Sequence, residues 1–141
     1  MAGIKDPTDM SHDEWVAMWR LMKPPLVAHG PLLIYIAGPY SADTPEGIQE
    51  NVDRAVAAGK ALLKKGHYVI VPHAMTHNWD LDTGLSWDCF MDNCITLLRK
   101  SDAILMLEDW QDSTGSRIEE HNARLRRMMM FYSLDEVPTV D

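Results

Sequence analysis

The sequence has few cysteines, no long apolar run and no apolar targeting segment. Cys89 and Cys94 are its only cysteines among 141 residues, and a separation of five places them on different faces of a helix. No disulfide framework is indicated. No stretch approaches the roughly 18 apolar residues of a membrane span, and residues 1–15 lack the apolar region of a secretory signal. These absences predict a cytoplasmic protein with no membrane partner.

Basic residues are also scarce. The chain has 13 Lys and Arg against 21 Asp and Glu, a formal net charge of −8 at pH 7. A surface that follows the phosphates of DNA or RNA needs a basic excess, so polymeric nucleic acid is not an expected partner. The sequence also lacks GxGxxG and GK[ST], which argues against a dinucleotide or P-loop site. A small molecule is the expected ligand.

Residues 1–30 differ in pattern from the remainder. Ser11 and Glu14 form a capping-box pattern, and Pro24-Pro25 ends the apolar repeat that follows it. The repeat has helical spacing and consists of Trp15, Met18, Trp19 and Met22. We predict an N-terminal helix and linker over 1–30, packed on the main body or on a neighbouring subunit. A single domain is predicted over 31–141.

The rest of the chain alternates between strands and helices. The continuous apolar run at 32–37 is typical of a strand buried on both faces, and 67–71 and 102–107 are predicted as the second and third strands. Helices are predicted from Thr44 to Gly66, from Ser86 onward, and from the 108–114 turn to about Met130. Residues 72–85 are predicted as a long loop and 137–140 as a short last strand. The pattern predicts a three-layer, Rossmann-like or flavodoxin-like α/β domain with a mostly parallel sheet and helices on both faces.

Three segments follow predicted strands and should line the edge of the sheet where α/β folds bind ligands. They are 38–44, 72–82 and 108–119. In the third, Gly115 lets a ligand approach the backbone, and free amides at the helix start favour a phosphate or another anion. Glu119 lies about one turn into this helix. Its carboxylate is either a nucleophile, a general base or a complement to the helix dipole.

The other two edge segments offer binding groups, and a pair of carboxylates lies near them. The turn Gly38-Pro39-Tyr40-Ser41 can hold a sugar or a base against its amides. His73 and His77 are four apart, but no HExxH motif or cysteine pair accompanies them, so substrate contact or loop structure is favoured over a metal site. Asp88 and Asp92 share one helix face and are either solvated or a second carboxylate for the site. Two carboxylates are the minimum for retaining glycosyl transfer.

In their order along the chain, these motifs resemble the nucleoside 2-deoxyribosyltransferase superfamily. The resemblance covers roughly residues 32–130 and rests on IYIAGPYS, a strand ending in Pro-His, a Trp-containing helix, SDAILML and Ser-x-Gly-x-x-x-Glu. It is closest to small members with the GPYS turn, whose relatives include 2′-deoxynucleoside 5′-phosphate N-hydrolases and CMP N-glycosidases. It implies a homo-oligomer, and a reaction that requires no metal and no organic cofactor.

The resemblance also implies roles for single residues. Glu119 matches the nucleophile that forms a covalent glycosyl-enzyme intermediate, while Gly38, Pro39 and Tyr40 match a turn that contacts base and sugar. Ser113 matches a serine that helps to hold the 5′-phosphate in nucleotide hydrolases, where the nucleoside transferases have aspartate. The resemblance therefore favours a nucleoside 5′-monophosphate as substrate.

Two positions depart from the family pattern. The family's proton-handling aspartate stands eight residues before the aspartate that starts the third strand, and counting back from Asp102 reaches Cys94. Asp92 and Asp88 are the nearest acids. The first turn offers no arginine, so phosphate recognition is expected to depend on amides and a few side chains. These are Ser41, Ser113, Ser116 and Arg117.

The predicted function is cleavage of the N-glycosidic bond of a (deoxy)ribonucleoside or its 5′-monophosphate. Glu119 attacks C1′, Asp92 or Asp88 assists the leaving base, and water releases the sugar. Transfer of the sugar to an acceptor base is one alternative, and a non-catalytic nucleotide-binding or interaction module is the other. The 10 Met and 5 Trp residues belong to the core or to an interface. Trp79, Trp87 and Trp110 are expected beside the site.

Overall fold

The structure is a computed structural model that describes residues 6–22 and 30–140. Its strands are β1 (Leu33–Ala37), β2 (Tyr68–Ile70), β3 (Ala103–Met106) and β4 (Met129–Phe131). Its helices are α1 (His12–Met22), α2 (Pro45–Lys64), α3 (Pro72–Met75), α4 (Trp79–Thr83), α5 (Trp87–Arg99) and α6 (Thr114–Leu125). Short 3₁₀ turns occur at Pro7–Asp9, Trp110–Asp112 and Leu134–Glu136. The predicted linker with Pro24-Pro25 lies outside the described residues.

The four described strands form one parallel sheet in the order β2-β1-β3-β4. Ile34 of β1 pairs with Val69 on one side and with Ala103 on the other, and Ala103 pairs with Met129. The central strands β1 and β3 are buried almost throughout, as their continuous apolar sequences predict. Parallel strands need crossover connections, and helices supply them here.

Alternate strand residues feed two separate cores, one on each face of the sheet. On one face Tyr35, Ile104 and Met130 pack with Leu98 of α5 and Ala123 of α6. The core on the other face is formed against α2 and contains Ile34, Ile36, Ala55, Leu62, Leu105 and Phe131. Helices therefore cover both faces. The predicted three-layer, Rossmann-like α/β fold is confirmed.

The N-terminal helix packs on this body, which is one of the two arrangements predicted for it. It begins at the predicted cap, where Ser11 Oγ accepts a hydrogen bond from the Glu14 amide at 3.1 Å. Trp15 is 2% exposed and belongs to the core shared by α5 and α6. Its indole N–H donates to Met130 Sδ at 2.9 Å. The helix therefore completes one face of the domain.

The end of α6 differs from the sequence prediction. The helix stops at Leu125 instead of continuing to about Met130. Arg127 adopts a left-handed conformation, with φ 54°, and the Met128 amide donates back to the Ala123 carbonyl at 3.0 Å. Glycine normally occupies such a helix stop. Because arginine occupies it here, the sequence contains no recognisable stop signal.

The last strand is consequently at a different place from the one predicted. Residues Met129–Phe131 pair with β3 as β4, whereas 137–140 form no strand. Val137 is buried in the core against α2, and the Val140 amide donates to the Lys65 carbonyl at 2.7 Å. The apolar character that suggested a strand at 137–140 thus reflects packing of an irregular segment.

The predicted long loop at 72–85 contains two short helices. Pro72 opens α3 at the first helical position, which suits its fixed φ. Asn78 and Gly84, both in the left-handed region, bracket α4 with φ values of 65° and 66°. Helices of four and five residues leave too little periodicity for a sequence pattern to reveal.

Replacement of Trp15 by alanine tests how much α1 contributes to the domain. The change removes a buried indole, so we expect a loss of about 3–5 kcal/mol in the free energy of unfolding, measured by urea denaturation. Leu21→Ala is the control on the same helix, because Leu21 is 88% exposed. It should alter stability by less than about 0.5 kcal/mol. Equal effects of the two changes would show that α1 is not anchored by Trp15.

Candidate active site

The connections after β1, β2 and β3 meet at the carboxyl edge of the sheet and enclose a cavity of about 870 Å³. This is the edge predicted for ligand binding. The cavity is lined by the predicted nucleophile and by all the predicted binding residues except Arg117: Gly38, Pro39, Tyr40, Ser41, His73, Ser113, Gly115, Ser116 and Glu119. Residues from three separate segments are thereby brought to one concave surface.

Glu119 is the buried carboxyl of this cavity. Its side chain is only 7% exposed, and its Oε2 accepts a hydrogen bond from the Tyr35 hydroxyl. Burial raises the pKa of Glu119 to about 7, although the Tyr35 hydrogen bond acts in the opposite direction. A carboxylate that only complemented the helix dipole would be expected to stay in solvent. The burial of Glu119 therefore favours a chemical role.

Tyr35 is a candidate functional residue that sequence analysis did not single out. The sequence pattern assigned it to a strand and to no site. Its ring is fully buried in the core of the α5 and α6 face. Burial and the neighbouring Glu119 charge raise the pKa of Tyr35 far above its ordinary value. The hydroxyl therefore stays protonated and serves as the hydrogen-bond donor to Glu119. The available signal was a hydroxyl inside an apolar strand, because a buried hydroxyl needs a partner.

Cys94 lies beside this pair and also lines the cavity. Its thiol is within hydrogen-bonding reach of the Tyr35 hydroxyl, and burial raises the pKa of the thiol. The hydrogen bond with the Tyr35 hydroxyl acts in the opposite direction, whereas the neighbouring Glu119 charge also raises this pKa. The thiol therefore remains neutral where the family resemblance leads one to expect an aspartate.

The predicted proton handlers Asp88 and Asp92 are not brought to the cavity. The residues of α5 that line it are Trp87, Phe90, Met91 and Cys94, which follow an i, i+3, i+4, i+7 pattern and share one helix face. At roughly 100° per residue, Asp88 and Asp92 lie about 110° and 150° from the centre of that face. Both are exposed. The same helical periodicity that presents Cys94 to the cavity thus turns the two aspartates toward solvent.

Two aspartates that the sequence pattern did not indicate also line the cavity. They are Asp80 in α4 and Asp112 in the 3₁₀ turn after β3, and both are exposed. Each belongs to a segment predicted as loop or turn, for which a sequence pattern gives no side-chain direction. Together with Glu119 they give the cavity three acidic side chains.

Close packing holds the turn after β1 in place. A Cβ on Gly38 would lie 2.8 Å from the Leu107 Cβ, so glycine lets the ends of β1 and β3 approach each other. His73 Nε2 donates to the Gly38 carbonyl at 2.9 Å. Burial lowers the pKa of His73, which keeps its ring neutral. The Asn51 amide group donates to the Tyr40 carbonyl at 3.0 Å. The turn is therefore a preformed part of the cavity.

The start of α6 offers donors to an anion. Ser113 is the helix cap, and its Oγ accepts from the Ser116 amide at 3.2 Å. Ser116 is 1% exposed and lines the cavity, yet its own Oγ has no hydrogen-bond partner among the described residues. Arg117 is exposed and is not part of the lining. An anion here would thus be held by amides and hydroxyls.

The structure also bears on metal binding, membrane insertion and the state of the cysteines. Within residues 6–22 and 30–140, no cluster of three or more His, Cys, Asp or Glu side chains is arranged to hold a metal ion. In the same ranges no helix is long and apolar enough to cross a membrane. Cys89 and Cys94 are free thiols.

Of the three tryptophans expected beside the site, Trp87 lines the cavity, whereas Trp79 and Trp110 do not.

Fold and site together define a Rossmann-like α/β domain with a buried glutamate and tyrosine at the carboxyl edge of its sheet. The family described as a domain of unknown function, DUF4406, matches residues 32–132. The chain therefore belongs to this family. The matched region contains all four described strands and the lining of the cavity, whereas α1 precedes it. No curated protein matches the chain.

Tyr35→Phe tests the coupling between the tyrosine and the glutamate. The hydrogen bond from Tyr35 lowers the pKa of Glu119, so its removal should move that pKa upward from about 7. The measurement is an NMR titration of protein labelled with ¹³C at glutamate side-chain carboxyls, with Glu119→Gln used to assign the resonance. Tyr68→Phe, at an exposed tyrosine of β2, is the control and should cause no shift. An unchanged titration in Tyr35→Phe would contradict the coupling.

Proposed function

We propose that the protein is an N-glycosidase that cleaves the bond between sugar and base in a (deoxy)ribonucleoside or its 5′-monophosphate, and that it acts in the cytoplasm. The observation that carries the proposal is the buried Glu119 carboxyl, which the Tyr35 hydroxyl holds inside a cavity of about 870 Å³. That volume lies within the range of small-molecule sites. The resemblance of the motifs to nucleoside 2-deoxyribosyltransferases supports the same chemistry.

The proposed reaction has two displacements at C1′ of the sugar. Ionised Glu119 attacks C1′ while the bond from C1′ to the base nitrogen breaks, and the bonding electrons leave with the base. Because Oε2 accepts from Tyr35, the other carboxylate oxygen is the one available to attack. Water then attacks C1′ of the glycosyl ester, the bond to Glu119 breaks, and the carboxylate is regenerated. The water loses one proton to solvent, and the departed base takes up one proton, so the overall reaction balances.

The position of the cavity supports a nucleoside-sized substrate that reaches the start of α6. Its backbone amides and the unpartnered Ser116 hydroxyl are donors for a 5′-phosphate or a 5′-hydroxyl. The described lining contains no lysine or arginine, so a phosphate would gain no ion pair. We therefore propose that the substrate is either a nucleoside or its 5′-monophosphate.

Exposed apolar side chains near the cavity support assembly into a homo-oligomer as part of the proposal. Trp79, Leu81, Leu85 and Trp87 lie in α4, in α5 and between them, and all four are exposed. Leu85 and Trp87 also line the cavity. Large apolar and aromatic residues are enriched at protein interfaces. A neighbouring copy that covered them would also restrict access to the cavity.

Glu119→Gln tests the proposed nucleophile. The change keeps the size of the side chain but removes the attacking charge, so release of free base should fall roughly a thousandfold or more. Asp92→Asn is the matched control and should stay within about threefold of the wild type, because Asp92 is exposed and faces away from the cavity. The substrates are nucleosides and their 5′-monophosphates, with products separated by chromatography.

The same assay distinguishes the proposed reaction from its alternatives. Free sugar together with free base indicates hydrolysis, whereas a new nucleoside formed from an added second base indicates transfer. Full activity of Glu119→Gln on any substrate would refute the assignment of the nucleophile. Absence of turnover across the panel would instead favour a non-catalytic binding module.

A further inference from the structure

Among the described residues, the buried part of the cavity has no unengaged acid that could protonate a leaving base. A neutral base leaves a sugar readily only when a proton reaches it, and a positioned acid normally supplies that proton. In the described lining, the Tyr35 hydroxyl already donates to Glu119, and His73 Nε2 already donates to the Gly38 carbonyl. The Tyr40 hydroxyl is engaged by His77 Nδ1 at 2.8 Å and by the Asn78 amide.

The remaining protic groups do not fill this role. The serine and threonine hydroxyls of the lining are far weaker acids than a carboxyl. Cys94 is a neutral thiol beside Tyr35, and a thiol is a weak hydrogen-bond donor. The lining carboxyls other than Glu119 are Asp80 and Asp112, both exposed to solvent. Asp88 and Asp92 lie on another face of α5. The buried part of the described lining thus offers the Glu119 carboxylate and no second carboxylic acid.

The charge and the aromatic content of the lining suit a cation. Three acidic side chains line the cavity and no lysine or arginine does so among the described residues. The wall from α5 consists of Trp87, Phe90 and Met91 beside Cys94. Aromatic faces attract cations, and carboxylates nearby strengthen that preference. The protein as a whole carries a net charge of −8, which also favours the approach of cations.

We infer that the base of the substrate carries a positive charge on its ring, as an N-alkylated purine or a pyridinium does. The inference rests on the proposed function and narrows its substrate class. Glu119 attacks C1′, the bond from C1′ to the ring nitrogen breaks, and the electron pair neutralises the ring. The base leaves as a neutral molecule, so no proton has to be delivered. Water then attacks C1′, the bond to Glu119 breaks, and the proton that the water loses passes to solvent.

The test uses substrate pairs that differ in ring charge. Guanosine is compared with 7-methylguanosine, and reduced dihydronicotinamide riboside with nicotinamide riboside, each also as its 5′-monophosphate. With the wild-type protein, kcat/KM for the charged member should be at least about 100-fold higher, which is the scale of a missing general acid. Because charged rings are intrinsically better leaving groups, binding is measured separately by calorimetry on Glu119→Gln. The charged member should bind at least about tenfold more tightly, with an affinity that falls as salt is added.

A matched pair of variants tests the position of the missing acid. Cys94→Asp puts a carboxyl beside Tyr35 and Glu119, and the charged-to-uncharged ratio of kcat/KM should fall by at least about tenfold. Cys89→Asp is the control, since Cys89 is exposed on the same helix and does not line the cavity. It should leave the ratio unchanged. If circular dichroism shows that Cys94→Asp does not fold, the comparison of charged and uncharged substrates with the wild-type protein still tests the inference.

The outcomes separate this inference from the proposed function. Uncharged members that are turned over as well as the charged ones, or bound as tightly by Glu119→Gln, would overturn the inference and leave the glycosidase proposal intact. Absence of turnover for every pair would refute the glycosidase proposal, and the inference would fail with it. Turnover and tighter binding confined to the charged members would support both.

Discussion

The burial of the Glu119 carboxyl against the Tyr35 hydroxyl is the constraint on which the rest of the site depends. A buried carboxyl binds its proton more tightly in the folded state, here with a pKa of about 7 against an ordinary value of 4.5. Stability from this group is therefore fully present below about pH 4.5 and is lost as the pH rises through about 7. An ionised Glu119 thus costs stability near neutral pH. Such a cost is typical of a residue kept for chemistry.

The topology of the sheet explains why these two side chains meet. They are 84 residues apart in sequence, but β1 and β3 are neighbouring central strands, with Tyr35 paired to Ile104. The helix that carries Glu119 starts shortly after β3 and packs on the same face of the sheet as Tyr35. Gly38 lets the ends of the two strands approach closely. The carboxyl edge is consequently a preorganised surface, on which a substrate would need little rearrangement of the protein.

Much of the fold and part of the site follow from the sequence. Apolar runs located three strands. The caps Ser11, Thr44 and Ser86 located the starts of three helices, and Gly66 located the end of one of them. Segments that follow strands identified most of the cavity lining, but not Leu85 or the wall from α5. The end of α6 was not predictable, because Arg127 occupies a position that glycine usually marks. The hydroxyl of Tyr35 inside an apolar strand indicated that it needs a partner, but which partner depends on tertiary packing. The direction of Asp88 depends on which face of α5 is turned toward the cavity.

The most direct test of the central claim is covalent trapping of the proposed glycosyl-Glu119 intermediate. A 2-fluoro substituent on the sugar destabilises the cationic transition state, and this slows release of the intermediate. After incubation with a 2′-fluoro nucleoside that has a charged base, the intact protein should gain the mass of one sugar. Peptide mapping should place that mass on Glu119, and Glu119→Gln should gain none. Attachment to another side chain, or base release with the protein mass unchanged at every quench time, would contradict the account.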